Sequence, residues 1–309
     1  MPINQLTAEG FGMLSGVASA SFTGLLDEHP NAATAYSLRL LNSNYTGALV
    51  EIAGYTTTPT FVENKAFLPD ANNKLSLTSQ DVGLTTTLGD WITANSITDG
   101  YVRTFYDNSG NAVNAQQTTP SLQAPIISAG SLLVDNGKPM VDFTGGDYYY
   151  NLSSPTTVLW SFGVQNVTAI DNIVNYIFGG SGEGCFVGGT AASVTGWGLA
   201  GSTGQREADN ENLGQIIRAW SGDKLFANGV EEGYSQVQSA GDFDLIMLGS
   251  RSDALAFSFT GYFQEAVFYN SNQEANVIGI QSNQNDYYSI YSPSSGIGTW
   301  AIGTTFVIQ

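Results

Sequence analysis

Apolar residues along this chain fall in short runs, many alternating with polar ones, and most runs end at Gly, Asn, Asp or Ser. A period of two is the mark of a half-buried strand, and many such runs separated by turn residues predict an all-β sandwich. Tyr101-Val102-Arg103-Thr104-Phe105-Tyr106 is one run, closed by the turn Asp107-Asn108-Ser109-Gly110-Asn111. Met140 to Phe143, Thr157 to Val164, Ile173 to Phe178 and Asp244 to Leu248 read likewise. Lys224 to Ala227 and Val230 to Glu232 flank Asn228-Gly229, two residues that tolerate positive φ, so a tight type I′ hairpin is predicted. Residues 256–269 hold two strands' worth of chain on either side of Gly261, which marks a bend or bulge.

Helical spacing is scarce. Val277, Ile280, Gln284 and Tyr287 share one helical face after the capping candidates Asn270 and Ser271. Leu88, Trp91 and Ile92 follow Thr87 at i, i+3, i+4 spacing and predict a second short helix. The Ala, Gly and Ser-rich opening, residues 7–24, reads equally as a helix or an extended arm.

Composition narrows the function classes. Hydrophobic residues are 42% of 309, with 15 Tyr and 16 Phe, enough for a packed core. Charged residues are only 12%, so Asn, Gln, Ser, Thr and Gly must make the surface polar. A net charge of -18 repels phosphate backbones and anionic membranes, which argues against a nucleic-acid partner. Cys185 is the sole cysteine, and no disulfide scaffold or thiolate metal cluster can form within the chain. The sole histidine, His29, sits in the turn Asp27-Glu28-His29-Pro30, which leaves Ser-His-Asp and Cys-His chemistry without a base. No export signal and no long apolar run for a membrane span is read in the sequence.

From about Leu25 to Tyr291 the chain carries an ordered set of phrases: LLDEHPNAATAYSLRLLNSNYTG, DGYVRTFYDNSGNAVNAQQ, PIISAG with DNGKPMVDF, KLFANG, and LGSRSD with FTGYFQEAVFYNSNQEANVIGIQSNQNDYYSIY. Together these resemble the arabinofuranosidase-B-like branch of the concanavalin-A-like, laminin-G-type superfamily, found in fungal enzyme domains and in bacteriophage virion proteins. The resemblance implies an antiparallel two-sheet jelly-roll sandwich over residues 25–291. Residues 1–24 are then an N-terminal arm or attachment segment, and 292–309 an apolar segment for packing or oligomerisation.

A retaining glycosidase needs two carboxyl groups roughly 5 Å apart, one nucleophile and one acid and base. The resemblance places the acid in the phrase LGSRSD, at Asp253. The matching stretch for the nucleophile is Ile173-Val174-Asn175-Tyr176-Ile177-Phe178-Gly179, which has no carboxylate; Asp171 and Glu183 are the nearest substitutes. The paired cysteines beside the sugar in those enzymes are absent too. On these grounds the sequence reads as a non-enzymatic bacteriophage structural protein, a head fibre, spike, capsid decoration or tail component carried in the virion. Its partners would be other virion proteins, copies of itself in a homo-oligomer such as a trimer, and a host surface glycan. The alternatives are a glycoside hydrolase of arabinofuranosidase type and a free carbohydrate-binding module.

Glycan binding asks for an aromatic face beside amide or carboxylate groups. The glycine-rich stretch 195–210 offers Trp197, Arg206 and Asp209, which with Asp253 are the candidate ligand-binding residues, although a sandwich tryptophan is more often core. Tyr148-Tyr149-Tyr150 must expose either its middle ring or both outer ones. No cofactor is required; relatives of this fold often hold Ca²⁺, for which Asp107, Asp242 and Asp244 are the candidates, though solvated turn acids are the simpler reading.

Overall fold

A computed structural model describes residues 22–292 except 58, 169–174, 189–196, 209–212, 238–239 and 252–256. Among the described residues the strands form a seven-stranded sheet, a thirteen-stranded sheet and a separate two-stranded hairpin, with every pairing between strands antiparallel except one isolated bridge. The chain is therefore the all-β sandwich that the alternation predicts.

The smaller sheet runs in the order Thr34–Ser37, Gly261–Tyr269, Trp160–Val167, Gly214–Ser221, Leu225–Ala227, Val230–Glu231, with Val141–Asp142 added to Gly261–Tyr269. At the centre of the larger sheet lie Asn175–Gly179, Phe243–Leu248, Tyr150–Val158, Ala115–Gln116, Asp99–Phe105 and Val50–Tyr55 in that order. Phe178 of the larger sheet meets Trp220 and Phe268 of the smaller one edge to face, with ring centroids 5.8 and 4.9 Å apart. Burying one such ring is worth about 1.5–3 kcal/mol, and the main apolar cluster between the sheets is built from many of them.

The smaller sheet is covered on its second face as well. Helix Val277–Tyr288 and the one-turn helix Leu25–Glu28 pack Val277, Ile280, Leu25 and Leu26 against Trp160, Phe162, Ala219 and Val267. This explains a departure from the predicted pattern. Strand Trp160–Val167 is buried at nearly every position, because a strand sandwiched between two layers has no solvent face to alternate with. The run Thr157 to Val164 also splits, its first two residues closing strand Tyr150–Val158 and the rest opening the next strand at Trp160.

Local details follow the sequence closely. Thr87 caps helix Leu88–Ala94 by accepting from the Asp90 amide at 3.1 Å, and Leu88, Trp91 and Ile92 are buried. Asn228 and Gly229 have φ of 50° and 81°, and Ala227 pairs with Val230, as the hairpin requires. Gly261 opens a single strand to Tyr269 and does not divide two; of residues 256–260, where the first was expected, 257–260 contribute no strand beyond an isolated bridge at Ser258 and 256 is outside the described residues. In the C-terminal helix the buried tyrosine is Tyr288 and not Tyr287. Of the three consecutive tyrosines, Tyr150 turns inward, donating to the Val102 carbonyl at 3.0 Å and accepting from the Ala124 amide at 2.8 Å. Residues 1–21 and 293–309, assigned to attachment and oligomerisation, lie outside the described residues.

Candidate functional site

Helices cover the smaller sheet, and in the larger one strand Tyr150–Val158 keeps exposed positions while strand Asn175–Gly179 is buried at all five of its residues. The two segments that the resemblance singled out, some seventy-five residues apart, meet on that sheet. Strand Asn175–Gly179 pairs with Phe243–Leu248, Phe178 facing Leu248 and Gly179 facing Met247. Just beyond, the Gly249 amide donates to the Ile177 carbonyl at 2.7 Å, and Tyr176 forms a parallel bridge with Ser258. Arg251 closes the seam: its Nη1 donates to the Tyr176 hydroxyl at 3.3 Å, and its guanidinium lies 5.0 Å from the Tyr176 ring and 4.8 Å from that of Phe257. A cation between two ring faces in a half-dry site is held both by the rings and by the hydroxyl.

Gly179 is where three backbones converge. A Cβ at this position would sit 2.7 Å from the Ser250 carbonyl oxygen, 3.1 Å from Arg251 Cα and 3.2 Å from the Glu183 carbonyl oxygen, so only glycine fits. The turn that carries Glu183 is tied to the same point, its carbonyl accepting from the Gly180 amide at 2.9 Å. Thus the Glu183 turn and the start of the LGSRSD phrase lie against each other. Asn175 is buried on its strand, where the resemblance looked for a carboxylate.

The sequence candidates fare unequally. Trp197 is fully buried, its ring perpendicular to Trp220 at 5.6 Å and the Arg218 guanidinium 5.2 Å from its centroid, so neither face is open to a sugar. A glycine-rich neighbourhood suggested a loop, whereas Trp197–Gly201 is a strand paired on both sides. Arg206 lies on strand Gly204–Ala208 opposite Leu199, with its side chain outside the described residues; Asp209 and Asp253 are likewise outside them. Tyr176 escaped the candidate list because nothing in its own strand shows that Arg251 will fold onto it.

The acidic turns are occupied by their own chain. Asp107 accepts from the amides of Ala35 and Ser109 at 2.8 and 2.9 Å, Asp242 from the Ser202 hydroxyl at 2.8 Å, and Asp244 from the Thr157 hydroxyl at 2.8 Å. Among the described residues no three His, Cys, Asp or Glu side chains gather in a way that could hold a metal ion. Cys185 is buried, and desolvation raises its thiol far above the ordinary range against a smaller opposing effect from Ser161.

The fold is a concanavalin-like β-sandwich. Three solved structures share it. One is a GH54 α-L-arabinofuranosidase soaked with a cyclic sulfate inhibitor, at 14% identity and a TM-score of 0.57. The others are an arabinofuranosidase complexed with arabinofuranosyl-α-1,2-xylobiose and a Glu-to-Gln mutant of a GH54 α-L-arabinofuranosidase soaked with 4-nitrophenyl α-L-arabinofuranoside, each at 15% identity and a TM-score of 0.56. In all three the likeness covers 84% of this chain and 63% of the other. No family model and no curated protein matches the sequence.

These neighbours correct two expectations. The solved structures that this fold resembles are glycoside hydrolases and not particle components, so the reading as a bacteriophage structural protein is overturned. With it goes the denial of enzymatic activity, which had rested on a missing carboxylate in one strand, since the solved structures that share the fold are arabinofuranosidases. Among the described residues no helix is long and apolar enough to cross a membrane.

Proposed function

We propose that this chain is the sandwich of a glycoside hydrolase of arabinofuranosidase type, releasing arabinofuranose from a neutral glycan at the seam between Asn175–Gly179 and the segment that runs from Leu248 to Asp253. The observation that supports it is the meeting of those two segments, through Arg251 and Tyr176, in a fold shared with arabinofuranosidases.

Retaining hydrolysis needs two carboxyl groups. Asp253 stands where the resemblance puts the acid, two residues beyond Arg251. Glu183 is the partner, since its turn lies against the same seam at Gly179. In the first step the Glu183 carboxylate bonds to the anomeric carbon as the glycosidic bond breaks, and Asp253 gives its proton to the leaving oxygen. In the second, Asp253 takes a proton from water, the water oxygen bonds to the anomeric carbon, and Glu183 leaves as carboxylate.

The test is release of 4-nitrophenol from 4-nitrophenyl α-L-arabinofuranoside. The native chain should show it, and Asp253→Asn and Glu183→Gln should each lower it by about 100-fold or more. Absence of release by the native chain would overturn the reading. Loss with Asp253→Asn alone would keep the activity and move the nucleophile elsewhere.

A further inference from the structure

A second site lies on the same sheet. Strands Val50–Tyr55, Asp99–Phe105, Ala115–Gln116 and Tyr150–Val158 bound an open cleft of about 570 Å³ whose lining includes Glu51, Arg103, Thr104, Tyr106, Gln116 and Asn151. A β-bulge builds its floor. Glu51 faces Thr104 while the next residue, Ile52, faces Val102, so Arg103 is an extra residue in its strand, and both Arg103 and Thr104 reach the cleft. Glu51 Oε2 accepts from Arg103 Nη1 at 3.1 Å and from Thr104 Oγ1 at 3.1 Å, and Gln116 Nε2 donates to Thr104 Oγ1 at 3.4 Å.

This lining selects a ligand class. Glu51 and Arg103 are its charged residues and they cancel each other, so neither an anion nor a cation finds a free counter-charge. The surrounding charge of -18 further disfavours anions. What the walls offer is a row of amides and hydroxyls beside the half-buried ring of Tyr106, a set suited to a neutral ligand rich in hydroxyl groups. Register ties the cleft to the seam: Asn151 faces Met247, and Met247 faces Gly179, so the two sites are separated by two strand spacings, roughly 10 Å.

We propose that this cleft is a binding subsite for the neutral backbone of the glycan whose arabinofuranose branch reaches the seam; the assignment rests on the carbohydrate reading above. The probe is the trisaccharide arabinofuranosyl-α-1,2-xylobiose, titrated calorimetrically into the full chain carrying Asp253→Asn, and into that chain with Gln116→Ala and Asn151→Ala added. Both added positions are exposed, so the fold should survive. The loss of their hydrogen bonds should weaken Kd by about ten-fold. Ser153→Trp, at an exposed lining position, should do the same by filling the cleft without removing a polar wall. An unchanged Kd in both variants, or no binding by the Asp253→Asn chain, overturns the proposal. If the trisaccharide binds in a cleft-dependent way while the native chain releases no 4-nitrophenol, the subsite stands and the hydrolase reading falls; release of 4-nitrophenol with a Kd indifferent to the cleft gives the reverse.

Discussion

Arg39 and Glu265 form a two-pronged ion pair inside the protein, Nε to Oε2 at 2.7 Å and Nη2 to Oε1 at 3.1 Å, with both side chains nearly or fully buried. Glu265 also accepts from the hydroxyls of Ser37 and Tyr288 at 2.9 and 3.3 Å and from Gln284 Nε2 at 3.2 Å. The pair therefore joins the edge strand Thr34–Ser37, the strand Gly261–Tyr269 and the C-terminal helix at one point. Burial alone would lower the Arg39 pKa, but the facing carboxylate outweighs it and the guanidinium titrates above its ordinary value.

Removing one partner leaves a buried, uncompensated charge. Glu265→Leu or Arg39→Met alone should each cost about 3–5 kcal/mol, whereas the double variant should recover much of that loss, because two apolar side chains need no counter-charge. Urea denaturation of the three variants measures it; single and double losses that simply add would show the two residues do not act as a pair.

Acid should weaken the fold through Asp81. Its burial pushes the carboxyl up, but the amide of Thr86, the hydroxyl and amide of Thr85, and Lys65 together hold it at about 2, below its ordinary 3.8. The amide and hydroxyl contacts are 2.6 to 3.0 Å long. A depressed carboxylate stabilises the native state above the unfolded pKa and loses that contribution as pH falls through the folded one. Stability should therefore decline between about pH 4 and pH 2, and Asp81→Asn should flatten that part of the curve of Tm against pH. An unaltered slope in the variant would exclude Asp81 as the cause.

Cys185 should be inert in the native state. It is buried between Leu199 and Phe178 in the sheet, and desolvation keeps its thiol protonated. A thiol reagent should label it only as fast as the protein opens, and fully in denaturant. Rapid stoichiometric labelling without denaturant would contradict the packing.

How much of this was legible in the sequence differs from residue to residue. Asn228-Gly229 announces its own hairpin, since two adjacent positive φ values are a local demand met by few residues. Thr87 with Leu88, Trp91 and Ile92 announces a helix for the same reason: cap and stripe lie within one turn of each other. Strand Trp160–Val167 is different, for its near-total burial depends on a helix more than a hundred residues away.

The site was legible only in part. LGSRSD and IVNYIFG could be picked out as phrases, yet their contact through Arg251 and Tyr176 is a product of strand order. Trp197 illustrates the opposite error, because glycines around a tryptophan suggest exposure in sequence while two neighbouring strands and Trp220 bury it in the fold. The bulge at Arg103, which aims two consecutive side chains into one cleft, breaks the very alternation by which the strand is recognised.

By itself, then, the sequence determined the all-β class, the hairpin and the short helices, because alternation, caps and turn residues act over a few neighbours. Only the tertiary structure decided which strands keep exposed positions, which strands meet at the seam and where Trp197 goes. Those outcomes depend on pairings between residues tens to hundreds of positions apart, and no local periodicity encodes the register of a distant strand.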